Sequence, residues 1–332
     1  MKKAPIYAAL SAIIILELAT HAGARQKPDP KKPEQQRSSM IKHEYADVNG
    51  VRLHYAAAGK GKLVMFVHGF PEFWYEWKHQ LLEFGMHYRA VAPDMRGYNL
   101  SSKPAEVDQY QVKYLIEDLR ALAEKLGHKK FIMVAHDWGG AIAWAFAIAH
   151  PEMLEKLIII NAPHPGVFQR ELRENAAQQK ASQYMTMFRS PQAEQILSAN
   201  NYAALVQAVL GDGLKRGFFS EDDKKAYIEA WSQPGALTGG LNYYRAARLG
   251  PPTESGKEVT NFAVDVSLVV KAPTLVIWGE KDTALLTGNL DGLDKFVPDL
   301  TIKRIPDGTH WVIHEKPAEV NGYIRDFIKA KR

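Results

Sequence analysis

The 332-residue chain contains no cysteine, which excludes disulfides, thiolate nucleophiles and Cys-ligated zinc or iron–sulfur centres. No G-x-S-x-G run occurs, so the serine form of the exposed strand-to-helix nucleophile turn is absent. No glycine-rich phosphate cradle follows an apolar run, and neither a nucleotide nor a flavin is implied. There is no internal repeat. No apolar run reaches the roughly 20 residues of a comfortable bilayer span. Charge of one sign is also scarce. Lys and Arg number 42 against 37 Asp and Glu, a net of +5. Residues 1–38 hold seven Lys or Arg and three acids, which accounts for nearly all of that excess. A near-neutral body behind a basic tail is not the footprint of a nucleic-acid binder.

The N-terminus reads as an export signal over residues 1–24. Lys2 and Lys3 form a positive start, an apolar stretch runs from Ile6 to Leu18 with Glu17 interrupting it, and Ala22-Gly23-Ala24 fits an A-x-A cleavage site. The expected location is periplasmic or secreted if the segment is cleaved, and inner-membrane anchored if it is not; no stable membrane insertion is expected after cleavage. Residues 25–40 are rich in Lys, Pro, Gln and Ser and read as a solvated linker, with too little apolar surface to order itself.

The globular body begins near residue 41. His43–Val48 and Val51–Ala57 flank Asn49-Gly50, the pair suited to the positive φ angles of a type I′ hairpin. Unbroken apolar runs follow at Leu63–Val67, Arg89–Ala92, Phe131–Val134, Leu157–Ile160 and Thr274–Trp278. Continuous rather than alternating runs indicate strands covered on both faces, as in a parallel sheet. Helical spacing lies between them, with Leu115, Leu119, Leu122 and Leu126 on one face and a small-residue helix over Ala141–Ala149. An eighth strand near Leu300–Ile305 and a helix over Pro317–Lys329 close the chain. The expected class is α/β, with a mostly parallel eight-stranded sheet. Residues 165–267 have helical periodicity and no buried strand, and Ser220 before Glu221-Asp222-Asp223 is a strong helix start. The expected organisation is a core of residues 41–164 and 268–332, with a helical cap of residues 165–267 inserted between strands 6 and 7.

The central chemical feature is Val134-Ala135-His136-Asp137-Trp138-Gly139-Gly140, where a buried strand meets the small-residue helix. A tight turn there lifts one side chain above the sheet and needs small residues two places either side; Ala135 and Gly139 supply them. This is the nucleophile-turn pattern with Asp137 in place of serine. His68-Gly69-Phe70-Pro71 follows the third strand, which makes the Phe70 and Trp138 amides an expected oxyanion hole. Asp282, in Trp278-Gly279-Glu280-Lys281-Asp282, follows the penultimate strand, and His310, in Gly308-Thr309-His310-Trp311, follows the last. Nucleophile, acid and histidine therefore sit just beyond the carboxyl ends of strands, where open α/β sheets bind ligands. His310 and His314 have metal-like spacing, but His310 is committed to the triad, and no metal or cofactor is expected. His164 opens the cap and is a possible pocket residue.

Over nearly all of residues 43–330 the chain resembles the epoxide hydrolases of the α/β-hydrolase fold. The resemblance rests on His68–Trp77, Asp94-Met95-Arg96-Gly97-Tyr98, His136–Gly140 and Thr309-His310-Trp311. It also extends to the cap, where that family places two tyrosines on the epoxide oxygen. Tyr184, four before Phe188, and Tyr244, in Leu241-Asn242-Tyr243-Tyr244-Arg245, match the two motifs. Arg189 stands where Gln is common, and Thr309 where Gly is common. The resemblance implies a small apolar epoxide and water as reactants, with Asp137, Asp282, His310, Tyr184 and Tyr244 catalytic and Phe70, Trp138, Tyr184 and Tyr244 contacting substrate. An Asp is ionised at neutral pH and attacks without a base, while two phenols with pKa about 10 remain able to give a proton to the departing oxygen. Alkylation is accordingly expected to fall at high pH. A haloalkane or haloacid dehalogenase would use the same Asp and the same ester, with a halide leaving instead. A non-catalytic binding member of the fold would lack part of the triad.

Overall fold

The computed structural model describes residues 40–252 and 268–330. The expected signal over 1–24, nearly all of the expected linker and the end of the expected cap lie outside them. One eight-stranded sheet runs in the order β1-β2-β4-β3-β5-β6-β7-β8. Its strands are β1 (Lys42–Val48), β2 (Val51–Gly59), β3 (Leu63–Val67), β4 (Arg89–Pro93), β5 (Phe131–His136), β6 (Leu154–Ile160), β7 (Thr274–Gly279) and β8 (Leu300–Ile305). β1 and β2 form a hairpin closed by Asn49 at φ 47 and Gly50 at φ 78, the two left-handed positions of its turn. β2 also runs antiparallel to β4, and the remaining pairs are parallel.

The apolar runs are continuous because both faces of the sheet are buried. Val64, Phe66, Ile132, Val134, Ile158 and Ile160 point one way, into a layer with α1 (Lys78–Phe84) and the C-terminal helix Pro317–Lys329. Met65, Val67, Met133, Ala135, Leu157 and Ile159 point the other way, toward α2 (Val112–Lys125) and α3 (Asp137–Ala149). Each fully buried aliphatic side chain contributes roughly 1.5–3 kcal/mol. One residue of slip would exchange the two sets, so the register is held from both sides.

Between β6 and β7 the described chain is helical. It passes through α4 (Pro165–Glu174), α5 (Ala176–Ala181), α6 (Tyr184–Arg189), α7 (Ala193–Leu205), α8 (Gly211–Arg216), α9 (Glu221–Ser232) and α10 (Ala236–Ala247). Ser220 caps α9 with a reciprocal capping box to Asp223. α7 is broken at Ala199–Tyr202, where Asn200, Asn201 and Tyr202 all have positive φ. Short polar side chains accept that region readily, a tyrosine far less so. The short helix α11 (Val312–Glu315) and the longer α12 (Pro317–Lys329) end the described fold.

Specific contacts seat these helices over the carboxyl ends of the strands. Tyr227 in α9 donates to Glu72 Oε2 at 2.6 Å, and the Trp231 indole donates to the Pro71 carbonyl at 2.6 Å. Tyr243 in α10 donates to the Arg96 carbonyl at 2.9 Å. At Gly239, α10 touches the backbone of Gly97 so closely that an added Cβ would lie 2.3 Å from the Gly97 oxygen. On the other flank Gln178 donates to the Ala284 carbonyl at 2.8 Å. Among the described residues, no helix is long and apolar enough to cross a membrane.

Candidate active site

Asp137 sits at φ 49 between β5 and α3. A non-glycine residue held there is strained, and the sharp turn lifts its carboxylate above the sheet edge. The turn closes only because its neighbours are small. A Cβ on Gly139 would lie 2.3 Å from the Val67 carbonyl oxygen, and one on Gly69 would lie 2.4 Å from Asp137 itself. The two carboxylate oxygens of Asp137 face different groups. Oδ1 accepts the Phe70 amide at 2.8 Å and, with the carboxylate also bonded by the Trp138 amide, occupies the donor pair expected of an oxyanion hole. Oδ2 lies 3.6 Å from His310 Nε2.

His310 Nδ1 is 2.7 Å from Asp282 Oδ2. Asp282 is held from three further sides: the Ala284 and Leu285 amides donate to Oδ1 at 2.8 and 2.9 Å, and Asn161 Nδ2 donates to Oδ2 at 2.8 Å. Asn161 also accepts from the Gly279 amide at 2.9 Å, which ties the acid loop back to the end of β6.

Burial raises the Asp137 pKa, and His310 with the Phe70 and Trp138 amides offsets only part of that rise. For Asp282, burial pulls upward, but the charge and hydrogen bond of His310, the Leu285 amide and Asn161 outweigh it and leave the pKa lowered. His310 shows the reverse balance. Burial alone would lower it; the charge and hydrogen bond of Asp282, then the charges of Asp137 and Glu72, lift it to about 9.

A cavity of about 450 Å³ opens in front of Asp137. Its wall includes Trp138, Tyr184 and Tyr244 together with Phe168, Met185 and Leu285, and among the described residues Asp137 is its one charged group. Tyr184 on α6 and Tyr244 on α10 thus share the cavity with Asp137 from two cap helices, their rings 6.3 Å apart. Burial, then the charge of Asp137, raises both phenols well above their ordinary pKa. Hydrogen bonding with the Trp138 side chain opposes the rise at Tyr244; the indole has only a donor to offer, so its N–H points at the phenol oxygen.

The packing locates two further rings that the sequence raised. Phe70 supplies its amide, but its ring is not part of this cavity wall; it packs edge-on against Tyr244 and Phe188 at 5.5 and 5.1 Å and backs the phenol instead. His164 is fully buried. It accepts from the Gly166 amide at the start of α4, and its other ring nitrogen is 3.0 Å from the Leu268 carbonyl, so it caps a helix rather than lining the pocket.

Beside His314, which the sequence paired with His310, the site holds two acids that sequence spacing did not single out, Glu72 and Glu76. Glu72, Glu76 and His314 bring ligand-type atoms within 4.8 Å of one another. Hydrogen bonds already occupy much of that set: His314 and Tyr227 take the two oxygens of Glu72, and His136 lies 2.5 Å from Glu76 Oε1. Burial, then the negative charge of Glu72, pushes the Glu76 carboxyl well above the carboxylate range. His310 and His314 turn to different partners, Asp282 and Glu72, and share no site.

The model of the alpha/beta hydrolase fold family matches residues 62–317. The AB hydrolase superfamily protein YfhM of Bacillus subtilis is 40% identical over 295 residues, 87% of this chain and 98% of that protein. Epoxide hydrolase 4 of Mus musculus is 39% identical over 303 residues, 88% of this chain and 80% of that protein. The crystal structure of Bacillus megaterium epoxide hydrolase in complex with an inhibitor is 39% identical, covers 86% of this chain and 100% of that one, and superposes with a TM-score of 0.81. The chain belongs to the α/β-hydrolase family and, within it, to the epoxide hydrolases.

Proposed function

We propose that this enzyme opens an epoxide with water to a vicinal diol through an ester on Asp137. The observation that carries the reading is the arrangement of one carboxylate between two amides on one side and two phenols across an apolar cavity on the other. Oδ2 of Asp137 bonds to an epoxide carbon as the ring C–O bond breaks. The freed oxygen takes a proton from Tyr184 or Tyr244. In the second step the oxygen of water adds to the ester carbonyl carbon and its proton passes to His310 Nε2. Negative charge gathers on Oδ1, between the Phe70 and Trp138 amides; loss of one such donor costs about 10²–10³ in rate. The bond from the carbonyl carbon to Oδ2 then breaks and the diol leaves with that oxygen, protonated by His310. The Asp137 carboxyl, rebuilt with the water oxygen, returns its proton to the phenolate. Every step balances without a metal or cofactor as reactant.

The dehalogenase alternative needs free N–H donors at the leaving group. Here the Trp138 indole is directed at the Tyr244 oxygen. Purified protein assayed on styrene oxide and on a bromoalkane tests the reading: diol from the epoxide is expected, and halide release without epoxide opening would overturn it. The Tyr184→Phe/Tyr244→Phe double variant is expected to lose alkylation almost entirely; opening at near wild-type rate would contradict the assigned proton donors. We further propose that residues 1–24 are removed on export, on the strength of the basic start, the apolar run and Ala22-Gly23-Ala24.

A further inference from the structure

Asp137 and the cap tyrosines face one cavity, and His310 faces another. A second recess of about 820 Å³ lies between the cap span Gln207–Phe218 and the loops that follow β7 and β8. Around His310 its wall carries the charged Asp212, Lys215, Lys281 and Glu315 beside the apolar rings of Phe218 and Trp311. Asp137 and the two tyrosines are not part of that wall, and His310 is not part of the apolar one. The contrast is chemical: one cavity has a single charged residue, the other is rimmed by charges of both signs.

The two compartments match the two half-reactions. Once the ester forms, the alkyl group is bonded to Asp137 and fills the apolar side. Water must then reach His310 by another path. We propose that this charge-rimmed recess is the inlet through which hydrolytic water reaches His310. The proposal rests on Asp137 being the ester-forming nucleophile.

The seating of the cap favours this path. Near α9, the 2.6 Å bonds from Tyr227 and Trp231 hold cap to core. Across the recess the gap is spanned by Arg216 and Glu315 at 3.8 Å, with the arginine side chain 54% exposed. The His310 side chain is 13% exposed, whereas that of its partner Asp282 is 1% exposed. Glu315 accepts from the Thr309 amide and hydroxyl at 2.8 and 2.9 Å, so the histidine loop carries a fixed polar rim. The inlet supplies only water, whose oxygen goes to the Asp137 carbonyl carbon and whose proton goes to His310.

The test fills the recess from opposite walls. Ala208 on the cap and Thr283 on the core are both exposed, line the recess and do not line the apolar cavity. Ala208→Trp and Thr283→Trp are made separately, with Ala208→Ser as control, and each is checked by circular dichroism and thermal melting. Single-turnover quench with intact-mass detection follows ester formation and ester loss on a reactive epoxide. Alkylation is expected to be unchanged in all three. Hydrolysis is expected to slow on the order of ten-fold in either Trp variant, with the ester accumulating, and to remain at the wild-type rate in Ala208→Ser. Normal ester loss in a folded, ester-forming Trp variant overturns the inlet and leaves the ester mechanism standing. Failure of the wild type to form an ester with any epoxide overturns the mechanism itself, and the inlet with it.

Discussion

His310 faces two demands that conflict at neutral pH. With a pKa near 9 it is an imidazolium in the free enzyme, yet it must be neutral to take a proton from water. Alkylation resolves the conflict, because esterified Asp137 no longer carries the charge that helps to hold the proton. The sign follows directly: removing a nearby negative charge lowers a histidine pKa. In NMR titrations the His310 ring is expected to titrate near pH 9 in the wild type and at lower pH in Asp137→Asn; an unchanged midpoint would contradict this account. The phenols behave oppositely. Because burial and Asp137 raise them well above 10, the loss of alkylation expected at high pH moves to still higher pH, and alkylation should show no phenol titration below pH 10. A tyrosine limb below that value in the pre-steady-state pH profile would be inconsistent with these environments. Asp137, Asp282 and His310 were legible because strand ends announce themselves in apolar runs. The burial that shifts their pKa values was not, since it arises only when residues distant in sequence fold over them. The packing of the Phe70 and His164 rings was not legible for a related reason: a motif identifies a residue and its backbone role, whereas tertiary packing decides where its ring points.

Among the elements, the loop after β4 bears much of the cap. Arg96 there makes a bidentate pair with Asp118 of α2, at 2.6 and 2.7 Å, with both side chains buried. Removing one partner leaves an uncompensated buried charge. Asp118→Ala should therefore destabilise the fold by about 3–5 kcal/mol in denaturant titration; a change within experimental error would mean the pair is not closed in solution. The same loop meets α10 at Gly97 and Gly239. Gly239→Ala should push α10, and with it Tyr244, away from the nucleophile. The expected result is slower alkylation with ester hydrolysis little changed, read in single turnover; an equal loss in both steps would place the effect elsewhere. Strand positions and the Asn49-Gly50 turn were readable from the sequence because apolar runs and positive-φ turn residues are local signals. The cap helices were readable only as helical periodicity. The break at Asn200–Tyr202 carries no local sign, because a tyrosine in the left-handed region is imposed by its surroundings.

For the whole molecule, the proposed chemistry is divided between two layers. The sheet places Asp137, Asp282, His310 and the Phe70 and Trp138 amides at its carboxyl edge, and the helices between β6 and β7 place Tyr184, Tyr244 and most of the apolar wall opposite them. Alternating strands and helices made that division visible in sequence. The union of Glu72 with His314 did not show, since 242 positions separate them and only folding brings them to 3.0 Å. The export proposal also belongs at this scale. N-terminal sequencing of protein from its native host should begin after Ala24; soluble cytoplasmic protein that retains Met1 would contradict it. The central claim, that water attacks the Asp137 ester and not the epoxide, is tested most directly by one turnover in ¹⁸O-labelled water with enzyme in excess. The account predicts that the label enters the Asp137 carboxylate, detected in its peptide by mass spectrometry, while the first diol released carries the unlabelled Asp137 oxygen. Label in the diol of that first turnover, with an unlabelled Asp137 peptide, would contradict it.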